Sequence, residues 1–258
     1  MEKYNQIKSF WEKAGNSELD EQGLKPTARD PYLQNVIEKI IFKFLKSNHL
    51  VLDIGCGEGS STKKFSPFVK NVIGIDYSES LIKQAIKNNS SKNIKYLVDN
   101  VLTLETLEND YFDISINIRC LINLPDEKMQ YDALNNIFKK IRSGGLCIFN
   151  EGTSKEFENL SIYRQKNNLS SMNLAEYNKL FENDKLINFF NKFGQIVDII
   201  TIGEYIYGSR IIHPLIVGES NVEHNSQINK VFANNFFIDN IDRYPELSYS
   251  SVYIIKKN

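Results

Sequence analysis

The sequence predicts an α/β protein built on a parallel sheet with helices on both faces, and three observations carry that prediction. Val51-Leu52-Asp53-Ile54 is a short apolar run that meets three alternating glycines, Gly55, Gly57 and Gly59, and so reads as a buried strand turning into a helix. Asn71 to Asp76 is a second β-branched run that also ends in an acid. From Glu79 to Asn150 helical-period segments alternate with further apolar runs, the pattern of crossover helices between parallel strands.

The elements follow in order. At 258 residues the chain fits one α/β domain with insertions. Residues 1–30 read as an N-terminal lid arm outside the sheet, with Phe10, Trp11 and Ala14 on one helical face and a polar run from Gly15 to Asp30 that contains Lys25-Pro26-Thr27-Ala28-Arg29-Asp30. The main domain, residues 31–258, opens at Pro31 with a helix over Tyr32–Lys46 capped by Asp30, its apolar positions Leu33, Val36, Ile37, Ile40, Ile41 and Phe44 keeping the helical period. A short helix from Lys63 to Val69, closed near Pro67, leads to the second strand, and Glu79–Lys87 is the next helix. The third strand runs from Asn93 to Val98 and ends in Asp99-Asn100; the fourth runs from Tyr111 to Ile118. A helix from Leu124-Pro125-Asp126 reaches Ile141, and Arg142-Ser143-Gly144-Gly145 turns into the fifth strand, Leu146–Asn150, followed by Glu151. Ser154–Asn191 is helical and too long for a simple crossover. A sixth strand is expected over Gln195–Tyr207, a helical stretch over Ser226–Tyr244 and a last strand over Tyr249–Ile255, with insertions at about 154–194 and 208–247.

Composition excludes several classes. A net charge of −1 supplies no basic face for nucleic acid or a membrane surface. Cys56, Cys120 and Cys147 sit in apolar or glycine-rich strand contexts without C-x-x-C spacing, which argues for reduced thiols, no metal and a cytoplasmic setting. The polar start, Met1-Glu2-Lys3-Tyr4, is no secretory leader, and no apolar run reaches membrane-spanning length.

The glycine turn brings bare backbone N–H groups against a ligand, and Asp53 beside it can only accept hydrogen bonds when ionised. Asp76, nineteen residues after Gly57, stands where doubly wound folds place the acid that holds ribose hydroxyls. A nucleoside-containing cofactor is implied. The spacing is D-x-G-x-G-x-G, which opposes the G-x-G-x-x-G of an NAD-dependent oxidoreductase. It resembles the first motif of class I S-adenosylmethionine (SAM)-dependent methyltransferases. Asp113, Leu124-Pro125-Asp126 and Ser143-Gly144-Gly145 extend the resemblance over about residues 48–153. It implies a seven-stranded Rossmann-like methyltransferase sheet of order 3-2-1-4-5-7-6 with the last strand antiparallel, SAM as cofactor and S-adenosylhomocysteine as product. It places Asp53, Gly55, Cys56, Gly57, Gly59 and Asn117 at the cofactor, Asp76 on the ribose, Tyr77 against adenine, Asp99 on the adenine amino group and the Asn100 backbone beside the ring.

By the same resemblance the helical material after strand five and between strands six and seven builds the pocket for a small-molecule acceptor. Tyr205-Ile206-Tyr207-Gly208-Ser209-Arg210-Ile211-Ile212-His213-Pro214 is the most distinctive stretch there, read as lying around a strand end. Methyl transfer needs acceptor, methyl and sulfur in line, and a base only where the acceptor carries a proton that must leave. His213 and Glu151 are the base candidates; Arg29, Tyr32, Arg119, Arg164, Tyr207, Arg210 and His213 are the candidate acceptor contacts. Many relatives carry a histidine pair just before Leu-Pro-Asp, where this chain has Ile122 and Asn123, so no base carries over from that site. The arm together with Arg210-x-x-His213-Pro214 resembles small methyltransferases of bacterial polysaccharide and capsule biosynthesis, which implies O-methylation of a sugar or of a phosphorylated, even phosphoramidate, precursor. N-methylation of a small metabolite and a non-catalytic SAM-binding protein are the alternatives. An amino-directed nucleic-acid methyltransferase is disfavoured, because strand four runs into Asn117-Ile118-Arg119-Cys120 and not an N-P-P-Y motif. The acceptor and a homodimeric state are left open.

Overall fold

The computed structural model describes residues 2–17, 29–239 and 242–258. Seven strands form one sheet: β1 (Leu50–Ile54), β2 (Asn71–Asp76), β3 (Ile94–Val98), β4 (Phe112–Ile118), β5 (Ile141–Asn150), β6 (Gly194–Ile200) and β7 (Val252–Lys257). Their order is β3-β2-β1-β4-β5-β7-β6, as expected. The first five strands are parallel, while β7 lies antiparallel between β5 and β6. All five parallel strands therefore end at the same edge, which carries the glycine turn.

Alternation along β1 shows why the sheet is covered on both faces. Leu52 and Ile54 enter one layer with Phe138, Phe149, Phe190 and Tyr253; Val51 enters the other with Ile37, Ile116, Tyr205 and Ile254. The first layer is made by α5 (Glu127–Lys140) and α7 (Asn183–Phe193), the second by α2 (Pro31–Phe42), α8 (Gly203–Tyr207) and α10 (Gln227–Asp239). In the first layer Phe149 stacks on Phe190 with ring centroids 5.2 Å apart.

The arm is anchored to the main domain. Helix α1 (Glu2–Ala14) packs against α4 (Glu79–Asn89). Glu12 accepts from the Ser78 hydroxyl at 2.7 Å and the Ser80 N–H at 3.0 Å, and its carbonyl accepts from the Ser80 hydroxyl at 2.7 Å. The Lys25-Pro26-Thr27-Ala28 part of the arm lies outside the described residues.

Several boundaries differ from the sequence reading, and the helix expected over Ser154–Asn191 is two, α6 (Ser154–Lys166) and α7, with a non-helical stretch between them. Helix α2 stops at Phe42, four residues short of Lys46, where the Lys43 N–H turns back onto Ile40. The Arg142–Gly145 turn is drawn into β5, whose register with β4 shifts between Phe112 and Ile114. The difference that moves candidate site residues is at β6, which ends at Ile200 because its partner β7 begins at Val252. The chain then becomes helical. The Ile202 N–H donates to the Ser248 hydroxyl, and the Gly203 and Glu204 N–H groups donate to the Asp242 carboxylate, each at 2.7 Å, which caps α8. Tyr205–Pro214 is therefore a continuous helical run, α8 passing through a π-helical stretch (Gly208–Ile212) into α9 (His213–Val217). No helix among the described residues is long and apolar enough to cross a membrane.

Candidate functional site

A cleft of about 230 Å³ opens at the carboxyl edge of the parallel strands. Its floor is the turn after β1. Gly55, Gly57 and Gly59 have φ of 67°, 56° and 79°, in the left-handed region that side chains resist. Gly55 is further confined, since a Cβ there would stand 2.6 Å from the Cys120 sulfur. The Gly57 N–H donates to Asp76 Oδ2 at 3.1 Å and the Ser78 N–H to Oδ1 at 2.9 Å, so β2's terminal acid is aimed back across the turn. Asp53 accepts the Thr62 hydroxyl from α3 (Ser60–Phe65) at 2.5 Å. Burial pushes the Asp53 carboxyl up to about 7 against the Thr62 hydrogen bond, and Asp76 up to about 6 against the Ser78 and Gly57 N–H groups. Both acids are thus short of compensation in a cleft they help to line, and hydroxyl or cationic groups of a ligand would supply it.

Of the predicted cofactor residues, Asp53, Gly55, Cys56, Gly57, Asp76 and Tyr77 line the cleft. Gly59 lies beneath it as the left-handed residue preceding α3. Asn117 is buried beside Cys120 at the end of β4. Asp99 and Asn100 close the loop after β3: Asp99 accepts from the Asn100 N–H at 2.6 Å and from the N–H and hydroxyl of Thr106, and Asn100 Oδ1 accepts from the Leu102 N–H.

The predicted acceptor residues separate into two groups. Arg29 and Arg119 line the cleft. Arg164, Tyr207, Arg210 and His213 do not; they lie behind it, and their placement around an acceptor gives way to a structural one. Arg210 is buried and donates to Asp30 Oδ2 at 2.6 Å, while the Tyr205 hydroxyl and the Leu33 N–H take Asp30 Oδ1. Burial pushes the Asp30 carboxyl up, but Arg210, Tyr205 and Leu33 outweigh it and hold it below its ordinary value. Arg164 pairs with Glu219 and donates to the Arg210 carbonyl. Tyr207 stacks on Tyr244 with centroids 4.0 Å apart, and Tyr32 packs against the second core layer. His213 is buried next to Pro214, and burial lowers its pKa.

Glu151 is likewise no free base. Its two oxygens accept the N–H groups of Cys120, Leu121 and Ile122 at 3.0, 2.7 and 3.0 Å, which fixes the turn after β4 from below. Burial raises its carboxyl to about 7 despite those bonds.

The turn that Glu151 holds carries the other half of the cleft. Arg119 stands at φ 50°, an unusual left-handed pose for a non-glycine residue. Its N–H donates to the Asn150 carbonyl at 2.7 Å, and its carbonyl accepts from Asn123 Nδ2 at 2.9 Å. Trp11 and Tyr177 also line the cleft, with centroids 5.8 Å apart, and Phe10 stacks on Tyr177 at 4.7 Å. Gln34 and Tyr177 were not singled out by sequence reasoning. Gln34 left a trace, a polar residue with Glu38 four positions on, both on the buried side of an apolar helix; Tyr177 left a fainter one, an aromatic position in the insertion at about 154–194 from which the acceptor pocket is expected.

Against known proteins, residues 52–149 match the family model described as a methyltransferase domain. This part of the chain thus matches a methyltransferase domain, and the sheet around it has the strand order that the class I SAM-dependent resemblance implies. The chain is 31% identical over 153 residues to the ubiquinone biosynthesis O-methyltransferase of Rickettsia bellii, covering 57% of this chain and 59% of that one. It thus spans about three-fifths of that curated relative's length. The fold matches the N-methyltransferase NodS of Bradyrhizobium japonicum, solved with S-adenosylhomocysteine, at a TM-score of 0.57 and 13% identity over 97% of this chain and 98% of that one. It also matches the Haemonchus contortus phosphoethanolamine N-methyltransferase 1, solved with phosphoethanolamine and S-adenosylhomocysteine, at 0.64 and 16% over 99% and 49%. The glycine turn and Asp76, both lining the cleft, fit the SAM expected of such a domain. Among the described residues no cluster of His, Cys, Asp and Glu could hold a metal.

Proposed function

We propose that the protein transfers a methyl group from SAM to a small, negatively charged acceptor. The observation that carries this reading is that Asp76 and the glycine turn share one cleft with the Arg119 guanidinium. In this reading Asp76 takes the ribose hydroxyls, Tyr77 lies on the adenine, and Asp99 with the Asn100 backbone takes the adenine edge. When bound, SAM supplies an electrophilic methyl on a sulfonium leaving group. The chain's own task is alignment and exclusion of water; that Trp11 of the arm and Tyr177 both line the cleft supports a lid role for residues 1–30.

The acceptor atom follows from what surrounds it. The three histidines, all within the described residues, lie elsewhere: His49 precedes β1 at the opposite edge of the sheet, and His213 and His224 lie behind the cleft near Asp30. An anionic oxygen needs no base, and two arginines offer it charge. O-methylation of a phosphate- or carboxylate-bearing precursor therefore suits the cleft better than a sugar hydroxyl. The capsule-precursor reading leaned on the arm and on Arg210 and His213, and with these two behind the cleft its phosphorylated form keeps contacts through Arg29 and Arg119.

Calorimetric titration tests the cofactor. SAM and S-adenosylhomocysteine should bind and NAD should not. Asp76→Ala should weaken SAM by at least tenfold, since each lost bond to a charged acceptor is worth about 1.5–3 kcal/mol; unchanged affinity removes Asp76 from the site. The emission of Trp11, the single tryptophan, should shift on adding S-adenosylhomocysteine, and a silent Trp11 removes the arm from the lid role.

A further inference from the structure

Arg119 is unusual in the company it keeps. Its Nη2 donates to Gln34 Oε1 at 2.9 Å, and that oxygen belongs to a neutral carboxamide. Gln34 and Glu38 lie one turn apart on α2 and are 9% and 2% exposed. The carboxamide cannot swing freely. Its Nε2 donates to the Ser61 hydroxyl at 2.9 Å and stands 3.5 Å from Glu38 Oε1, while that hydroxyl donates to the same Glu38 oxygen at 2.7 Å. With the nitrogen committed, the oxygen must face Arg119. The Glu38 charge is met on its other oxygen by Lys64 at 2.7 Å, so it does not reach forward to neutralise the arginine. Glu151 lies near enough to feel Arg119, but its oxygens are taken by three backbone N–H groups. A guanidinium has five N–H donors in a planar fork, and one carboxamide oxygen occupies one of them.

We propose that Gln34, locked by Glu38 and Ser61, is the positioning residue that holds Arg119 as an uncompensated cation in the cleft, where its open fork takes a phosphate or carboxylate oxyanion of the acceptor. This rests on the methyltransferase reading and adds to it a selecting group. A carboxamide orients the arginine without cancelling its charge; a carboxylate at the same position would orient it equally well and close the site to anions.

The test uses the full chain saturated with S-adenosylhomocysteine, with inorganic phosphate as the probe, acetate titrated in parallel and Trp11 emission as the signal. Saturable phosphate binding is expected in the parent. Arg119→Gln and Gln34→Glu should each weaken it at least tenfold, and Gln34→Met about threefold, with S-adenosylhomocysteine affinity and melting temperature changed little in all three. Preference for phosphate over acetate marks a phosphate-bearing acceptor; the reverse marks a carboxylate. Gln34→Glu binding phosphate as the parent does overturns the proposal. If that variant fails to fold, unchanged phosphate affinity in Gln34→Met overturns it instead. Loss of S-adenosylhomocysteine affinity in Arg119→Gln, with phosphate unaffected, reassigns the cation to the cofactor's carboxylate and also overturns it. A parent that binds S-adenosylhomocysteine but neither anion overturns this proposal alone, whereas a parent that binds no S-adenosylhomocysteine defeats the methyltransferase reading beneath it.

Discussion

Arg119 and Arg210 are the same side chain in opposite circumstances. Arg210 is 8% exposed and faces the Asp30 carboxylate, which also receives Tyr205 and Leu33; its charge is matched inside the protein, although its Nη1 is buried without a hydrogen-bond partner among the described residues. Arg119 is half-buried at the cleft and faces a neutral carboxamide. The first arrangement ties α2 to α8 and leaves no charge for a ligand. The second fixes direction and leaves charge over. An arginine's availability is thus set by whether its partner is an acid or an amide, and neither residue type nor a place near a pocket tells them apart.

The largest effect should come from breaking the matched pair. Arg210→Ala or Asp30→Ala leaves a lone buried charge and should cost about 3–5 kcal/mol in urea denaturation, while Asp30→Leu with Arg210→Met should recover most of it. A loss below ~1 kcal/mol in the single variants would erase the contrast between the two arginines. Since Asp30 is depressed below the carboxyl value of 3.8, its contribution is complete above that value and is lost only as pH falls through the lower folded one. The urea midpoint of the parent should lose this contribution only below about pH 4.

Next comes the support under Arg119. Glu151→Ala strands three buried N–H groups and should cost roughly 3 kcal/mol. Here the sign is reversed. The folded carboxyl, at about 7, lies above its ordinary 4.5, so its contribution is whole below 4.5 and declines as pH rises through 7. Glu151→Gln should flatten that decline in a stability–pH profile, and an unaltered slope would assign it to other groups. Arg119→Ala should leave stability within ~1 kcal/mol yet raise the acceptor KM at least tenfold, the reverse of the Arg210 outcome. The smallest effect belongs to Arg142, which is 54% exposed beside Asp113. Arg142→Ala should change stability by under ~1 kcal/mol, and less at high salt.

The parts of this molecule that could be read from sequence are those whose causes are local. The turn after β1 needs left-handed residues at Gly55 and Gly57, and Asp76 follows at the end of a short β-branched strand. Asp30 before Pro31 announced the cap of α2, and the cap is present at 2.9 Å. What misled was Gln195–Tyr207, a β-branched and aromatic run that looks like one long strand. Its end is decided by where β7 starts and by Asp242, neither of which lies within it. The roles of Arg210 and Tyr205 depend on an acid 180 and 175 positions earlier. Gln34 could have been suspected, because an apolar helix face rarely spends two polar positions one turn apart without a network to satisfy them.

The sheet order has a further consequence for how the chain must be made. β7 is synthesised after β6 yet sits between β5 and β6, pairing with both. Until it leaves the ribosome, β5 and β6 each hold out a row of unpaired N–H and C=O groups beside apolar side chains. A nascent chain interrupted anywhere between Ile200 and Val252 therefore carries two sticky edges and no means of joining them, and such fragments should be bound by holding chaperones or degraded rather than accumulate as half-built domains.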